Sequence, residues 1–234
     1  MLYHSCPVRR YIFEPLFNAS AGAAENQKVN GNGGCDELSF FKRLRDNLNN
    51  KRMPKNDSDI LFSISSAHIT LETKLRLKVG GRCAVTFKTV SGTLFHDMEQ
   101  DLRQFLASLH PEFDLTFRAV TDRYGYLWII LEGSRIEDLL AGLTAAGDIV
   151  GERGFSDQLL AAVFEFKSNS DASPQYLVYN FKRNNFYPFV PAAGKSRDTE
   201  KEMKIMSAIS DEVPFERDMS LWYPLWDLPL RSRE

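Results

Sequence analysis

Cysteine is scarce in this sequence: Cys6, Cys35 and Cys83 are the three among 234 residues, far apart and without a C-x-x-C pair. That excludes a disulfide framework and fits a reducing compartment, so a cytoplasmic protein is expected. Long apolar runs are missing too, since a stretch such as Tyr124 to Leu131 falls far short of the ~20 residues that span a bilayer. Nor does one sign of charge dominate. Lys and Arg total 29 against 31 Asp and Glu, a net charge of -2, so there is no overall field to hold a phosphate backbone and duplex nucleic acid is not an expected partner. What remains, 43% hydrophobic and 26% charged residues, is the composition of a globular protein with one core.

The common chemical signatures are also absent. His4, His68, His96 and His110 are never three or four apart and have no cysteine or carboxylate at a spacing that specifies a metal. Gly194-Lys195-Ser196 ends like a phosphate loop, but that loop needs glycine at 189, where Phe189 stands, and Pro191 stiffens the backbone that would cradle phosphate. There is no G-x-S-x-G. Cys83 is in phase with Val85 and Phe87 on a strand, so it reads as a structural thiol rather than a nucleophile. Glu165 lies out of phase with Phe164 and Phe166, which predicts a solvated carboxylate, while Asp122 and Glu132 fall in a turn and at a strand end. No catalytic residue, cofactor or metal is expected.

The chain divides into four parts. Residues 1–38, whose stretch from Asn18 to Gly34 is rich in Ala, Gly, Asn, Gln and Ser, read as a poorly ordered N-terminal extension. Residues 39–55 read as a basic amphipathic helix and linker. There Phe40, Phe41, Leu44 and Leu48 make a stripe beside Lys42, Arg43 and Arg45, either packed on the domain or lying on anionic lipid. Phe40, Phe41, Lys42, Arg43 and Arg45 are the candidate membrane contact, which would make the protein peripheral at the inner face of the membrane.

Residues 56–212 read as a single α+β domain. Asp59 to Val79 is ambiguous between helix and strand, with Gly80-Gly81 closing it. Arg82 to Val90 alternates as a half-buried strand, and Met98, Leu102, Phe105, Leu106 and Leu109 mark a helix. Phe113 to Ala119 and Tyr126 to Glu132 form a hairpin through Asp122-Arg123-Tyr124-Gly125. Ser134 with Glu137 predicts a capping box on a helix carrying Ile136, Leu139, Leu140 and Leu143. Leu160 to Phe166 and Tyr176 to Phe181 form a second hairpin, with Phe186 to Phe189 turning back past Asn184-Asn185. A last helix, Asp198 to Ser210, carries Met203, Met206 and Ile209 on one side. Hairpins alternating with helices predict an antiparallel sheet backed by helices, and no repeat period suggests a solenoid.

Residues 213–234 hold Trp222, Tyr223, Pro224, Leu225 and Trp226 with prolines that forbid a regular helix, an extended segment expected to pack back on the domain rather than on a partner. Aromatics concentrate late in the chain: 18 of the 28 lie from Phe113 onward, interleaved with Arg118, Arg123, Lys167, Lys182 and Arg183. Most should be core. Sheet-borne rings beside basic residues can also stack single-stranded bases or hold a small ligand, and Tyr124, Tyr126, Trp128, Lys182, Arg183, Trp222, Tyr223 and Trp226 are the candidate partner or ligand surface.

Four motifs, Tyr124-Gly125-Tyr126-Leu127-Trp128, Gly154-Phe155, Tyr176 to Arg183 running into Phe186-Tyr187-Pro188-Phe189, and Leu221 to Trp226, in this order and spacing resemble the PspAB-type PspA-associated proteins. The resemblance runs from about Ser39 to Leu230. Residues 1–38 depart from it, and Asn184-Asn185 stands where members commonly have glycine. It implies a role in a phage-shock, envelope-stress setting, with a PspA-like protein or an HtpX-like membrane metallopeptidase as partner, and it supplies no catalytic residues. The alternation of hairpins and helices is similar, by fold analogy only, to secretion-chaperone-like domains. The expected function is a non-enzymatic adaptor or regulator working through exposed strand edges or the Trp222–Trp226 segment; the alternative is a small-ligand or single-stranded nucleic-acid binding domain built on the hairpin aromatics.

Overall fold

The computed structural model describes residues 55–109, 114–169 and 171–230. The expected N-terminal extension and the basic helix with Phe40, Phe41, Lys42, Arg43 and Arg45 lie outside the described residues. Within them the chain runs α1 (Lys55–Phe62), α2 (Ile64–Leu75), β1 (Leu77–Lys88), α3 (Thr93–Leu109), β2 (Leu115–Thr121), β3 (Tyr126–Gly133), α4 (Ile136–Glu152), β4 (Leu159–Ser168), β5 (Asp171–Asn180), β6 (Asn185–Phe189), the short pair β7 (Pro191–Ala192) and β8 (Ser196–Arg197), and α5 (Thr199–Ile209). Strands one to six form one antiparallel sheet in the order β2-β3-β1-β4-β5-β6, so the fold is α+β, an open antiparallel sheet backed by helices.

The ambiguous stretch resolves by burial. Ile64, Ala67 and Leu71, spaced three and four apart, are buried on α2, while Ile69, which a strand would have needed inside, is 59% exposed. Arg76 then takes a left-handed conformation, φ 56°, and turns the chain into β1. Gly80-Gly81 does not end the segment as the sequence suggests. It forms a bulge inside one long strand, with the β1–β4 register shifting between Val79 and Cys83. A Cβ on Gly80 would stand 2.7 Å from Glu165 Cγ and 2.9 Å from its carbonyl oxygen, so glycine is what lets the two strands close.

Two further expectations fail for local reasons. The capping box on α4 is not made: Arg135 is the N-cap with no side-chain bond, and Ser134 Oγ turns instead to Asp114 at 3.4 Å. On α5 the buried side is Glu202, Ile205 and Ile209, leaving Met203 37% exposed. The α5 cap is Asp198, whose carboxylate accepts from Lys201 N at 3.1 Å.

The sheet separates two apolar layers. Cys83, Val85 and Phe87 of β1, Leu127, Ile129 and Leu131 of β3, and Phe164 and Phe166 of β4 face the helices. Ala84, Trp128, Ile130, Val163, Tyr176, Val178, Tyr187 and Phe189 face the other way. What covers them is the C-terminal segment 213–230, which has no strand of its own and one 3-10 turn, Met219–Leu221.

The two edges of the sheet differ. The outer edge of β6 is closed by this segment: Phe186 N donates to Pro214 O and Glu216 N donates to Phe186 O, both at 2.8 Å, around a parallel bridge to Phe215. No described residue pairs with the outer edge of β2.

Candidate functional site

The C-terminal strap and the sheet face beneath it concentrate many of the motif residues, the buried Glu216 and Glu202, and six of the ten arginines among the described residues. Its root lies at the β5–β6 turn. Glu216 is 6% exposed and accepts from Arg183 Nε, from Asn185 Nδ2 at 3.0 Å and from Asp218 N at 3.0 Å. The Arg183 hydrogen bond, followed by the Asp218 amide, holds this carboxyl down to about 2.

Above the root, Arg197 of β8 joins four chain segments. Its Nε lies 2.9 Å from Glu202 Oε1 on α5, its Nη1 donates to Trp222 O of the strap, and its Nη2 donates to Pro188 O at 3.0 Å. The guanidinium also lies 5.4 Å from the Phe189 ring centre and 5.8 Å from that of Trp222. Glu202 is 1% exposed and takes a second bond from Val190 N at 2.8 Å. Burial pushes its pKa up, against the pull of Val190 and Arg197.

The strap then crosses the sheet. Trp222 is buried and its indole donates to Glu216 O at 3.0 Å, Tyr223 O accepts from the Tyr187 hydroxyl at 3.2 Å, and Trp226 sets its ring edge-on to Phe189 at 5.3 Å. Arg123, on the β2–β3 turn, pairs with Asp227, and the far end is met by Arg118 on Pro229 O and Arg82 on Leu230 O, the latter at 2.8 Å. That turn is built on Asp122, which accepts from Tyr124 N at 2.8 Å, Tyr126 N at 3.0 Å and the Trp128 indole at 2.9 Å, with Gly125 at φ 80°.

The candidate surface of the sequence therefore splits. Trp128 and Trp222 are buried, and Tyr126 and Trp226 are half-buried in the second layer. Tyr124 and Tyr223 are 64% and 51% exposed, the first under the Arg123 guanidinium at 4.8 Å. Lys182 stays exposed and donates to Asp157 O at 2.7 Å, and Arg183 is committed to Glu216. Tyr179, whose exposure in a pocket would have favoured ligand binding, is fully buried and donates to Asp57. Burial raises the pKa of both groups.

Glu165 corrects a sequence expectation. It is out of phase with Phe164 and Phe166, yet 3% exposed rather than solvated, because its strand face is closed by the Gly80 bulge. Burial raises its pKa, with Lys167 Nζ at 3.5 Å and Arg82 opposing. Neither it nor Glu202, Asp57 or Glu216 leaves a periodic trace in the sequence. Asp57 lies just ahead of the ambiguous stretch that starts at Asp59, and Glu202 is hidden when the α5 face is assigned to the methionines.

Cys83 is buried against Leu139 O at 3.6 Å, which pushes its thiol pKa up, while His96 sits exposed on α3 beside Gln100 at 3.1 Å. Among the described residues no three His, Cys, Asp or Glu are grouped to hold a metal, and no helix is long and apolar enough to cross a membrane. An open groove between α2 and α5 is lined by Lys74, Leu75, Glu200, Met203 and Lys204.

The electrostatics give a pH prediction. Glu216, depressed in the fold, contributes stability that is complete above its unfolded value and is lost between about pH 5 and pH 2. Asp57, Glu165 and Glu202, all raised, act in the opposite sense, because their folded forms take up protons more readily as pH falls. Thermal melts across that window should therefore show a shallower acid decline for Glu216→Gln than for the wild type; parallel curves would remove Glu216 as the acid-sensitive group.

The family model described as PspA associated protein B matches residues 38–230. No curated protein and no solved structure matches the chain.

Proposed function

The chain belongs to the PspA associated protein B family, and from that premise we propose that it is a non-enzymatic adaptor or regulator in a PspA-type envelope-stress response, working through protein contacts. The observation that carries this reading is the inequality of the two sheet edges. The strap closes β6, whereas β2 presents seven residues of strand whose outer hydrogen-bonding groups meet no described residue. Such an edge accepts an extended partner segment as an added strand, main chain to main chain. Phe117, Ala119 and Val120, all half-buried on β2, would flank the added strand. The Trp222–Trp226 segment is spent on the chain's own sheet, which shifts the contact role to this edge.

A PspA-like protein is the partner of first choice and a membrane metallopeptidase the second. In a pull-down from native lysate, the wild type should retain one of these. A variant with exposed Thr116 and Thr121 both changed to Lys should lose it about tenfold or more, because charges along an edge oppose strand addition. Equal retention by the two proteins would argue the edge out of the contact, and a wild type retaining neither partner would remove the adaptor reading.

A further inference from the structure

We infer that the second face of the sheet is a binding site for an acidic, aromatic, extended segment of a partner protein, and that residues 213–230 are its resident occupant, displaceable from the same chain. This surface is separate from the β2 edge and stands on different observations.

The strap is bound as a peptide ligand is bound. Among the described residues its backbone joins the sheet backbone at two hydrogen bonds, Phe186 N to Pro214 O and Glu216 N to Phe186 O. Beyond that point its main-chain carbonyls are read by side chains of the domain: Arg197 on Trp222, Tyr187 on Tyr223, Arg118 on Pro229 and Arg82 on Leu230. Contacts of side chains to carbonyls tolerate many sequences, and the selective part is left to the rings and leucines that enter the second layer, Trp222, Leu225, Trp226, Leu228 and Leu230.

Charge sets the chemistry of the occupant. Five arginines, Arg82, Arg118, Arg123, Arg183 and Arg197, hold the strap, which carries Glu216, Asp218 and Asp227 against a single Arg217. Arg82 and Arg118 both lie beside Glu132, at 3.9 Å and 3.5 Å. An incoming segment with carboxylates flanking large apolar side chains would meet the same pairing.

The strap is also the part of the molecule best able to leave. Six antiparallel strands with the helices on their other face make a two-layer unit; at the strap's root Val213 and Phe215 reach this first core, while the rings and leucines beyond them pack in the second layer. Met219, Ser220, Tyr223, Pro224 and Asp227 are exposed, and the Arg123–Asp227 pair that fastens the middle is solvent-accessible on both sides. Departure would uncover a broad platform of rings, among them Trp128, Tyr176, Tyr187 and Phe189, together with the β6 edge. An apolar face of that kind demands a replacement cover. Tethering gives the resident segment a high effective concentration, so a partner gains access when the strap is weakened or when its own segment binds more tightly.

Two measurements on the full chain test this. In native-state hydrogen exchange, amides of residues 215–230 should exchange about 100-fold or more faster than those of β1 and β4, as for a unit that opens alone. A fluorescent synthetic peptide of residues 213–230 should bind the Trp222→Ala chain about tenfold or more tightly than the wild type, because loosening the resident raises the competent fraction. That binding should weaken with salt and fail for a peptide in which both tryptophans are alanine. Strap and core amides exchanging together, or equal peptide affinity for the two chains, would overturn the inference. A dimer forming in the Trp222→Ala chain through exchanged straps would also overturn it, assigning the face to a second copy instead of a partner.

Discussion

Arg197→Ala is expected to lower the melting temperature by about 6–12 °C, corresponding to about 3 kcal/mol for a domain of this size. The change leaves the Glu202 carboxylate buried with Val190 N–H as its remaining bond, and removes the donor to Trp222 O and Pro188 O in the same step. Breaking one side of a buried ion pair strands a charge, and the 20% exposure of the Arg197 side chain, which admits some water, keeps the loss near the lower end of the range. The companion variant Arg197→Met with Glu202→Leu removes both charges. It should recover part of the loss and not all of it, since two carbonyls and the Val190 amide still lack their partners. Urea unfolding of the wild type, Arg197→Met, Glu202→Leu and the double variant closes the cycle. Additive losses would mean that the pair is not the joint between β6, β8, α5 and the strap.

Trp222→Ala is expected to remove about 3–5 kcal/mol, the range for truncating a large buried ring. The side chain is 3% exposed, packs in the second layer and donates its indole hydrogen to Glu216 O, so the variant leaves both a cavity and an unpaired carbonyl. The unfolding midpoint in urea reads the loss. A drop of less than about 2 kcal/mol, with an unchanged far-ultraviolet spectrum, would instead show that the strap has left the sheet while the rest stays folded, because a docked segment cannot subtract more than its own docking energy.

Local chemistry made the two outer elements of the β2–β3 hairpin readable. Asp122 and Gly125 need nothing beyond their neighbours to build that turn, and Asp122 also collects the Trp128 indole. The apolar stripes of α3 and α4 were equally plain, since Met98, Leu102, Leu106 and Leu109, or Ile136, Leu139, Leu140 and Leu143, fall at helical spacing and are all buried. On α5 Ile209 is buried and Met206 packs on the second layer as the pattern predicts, but Met203 is exposed while Glu202, which Arg197 makes acceptable inside, is buried with Ile205. Ser134 and Glu137 had the right spacing for a cap, but Asp114 from another strand junction competes for the hydroxyl.

By itself the sequence determined the succession of hairpins and helices and the α+β class, because strand alternation, helical periodicity and turn residues are properties of neighbours along the chain, and its ordered motifs carried the resemblance to the family. Only the tertiary structure decided what lies on each side of the sheet. A period of two says that a strand has two faces without saying what covers the second, and residues 213–230, having no period at all, give no sign that they will cover it. For that reason Trp128 and Trp222 turned inward and five arginines scattered from position 82 to position 197 met along one strap, while the Gly80 bulge, equally invisible to a period of two, buried Glu165.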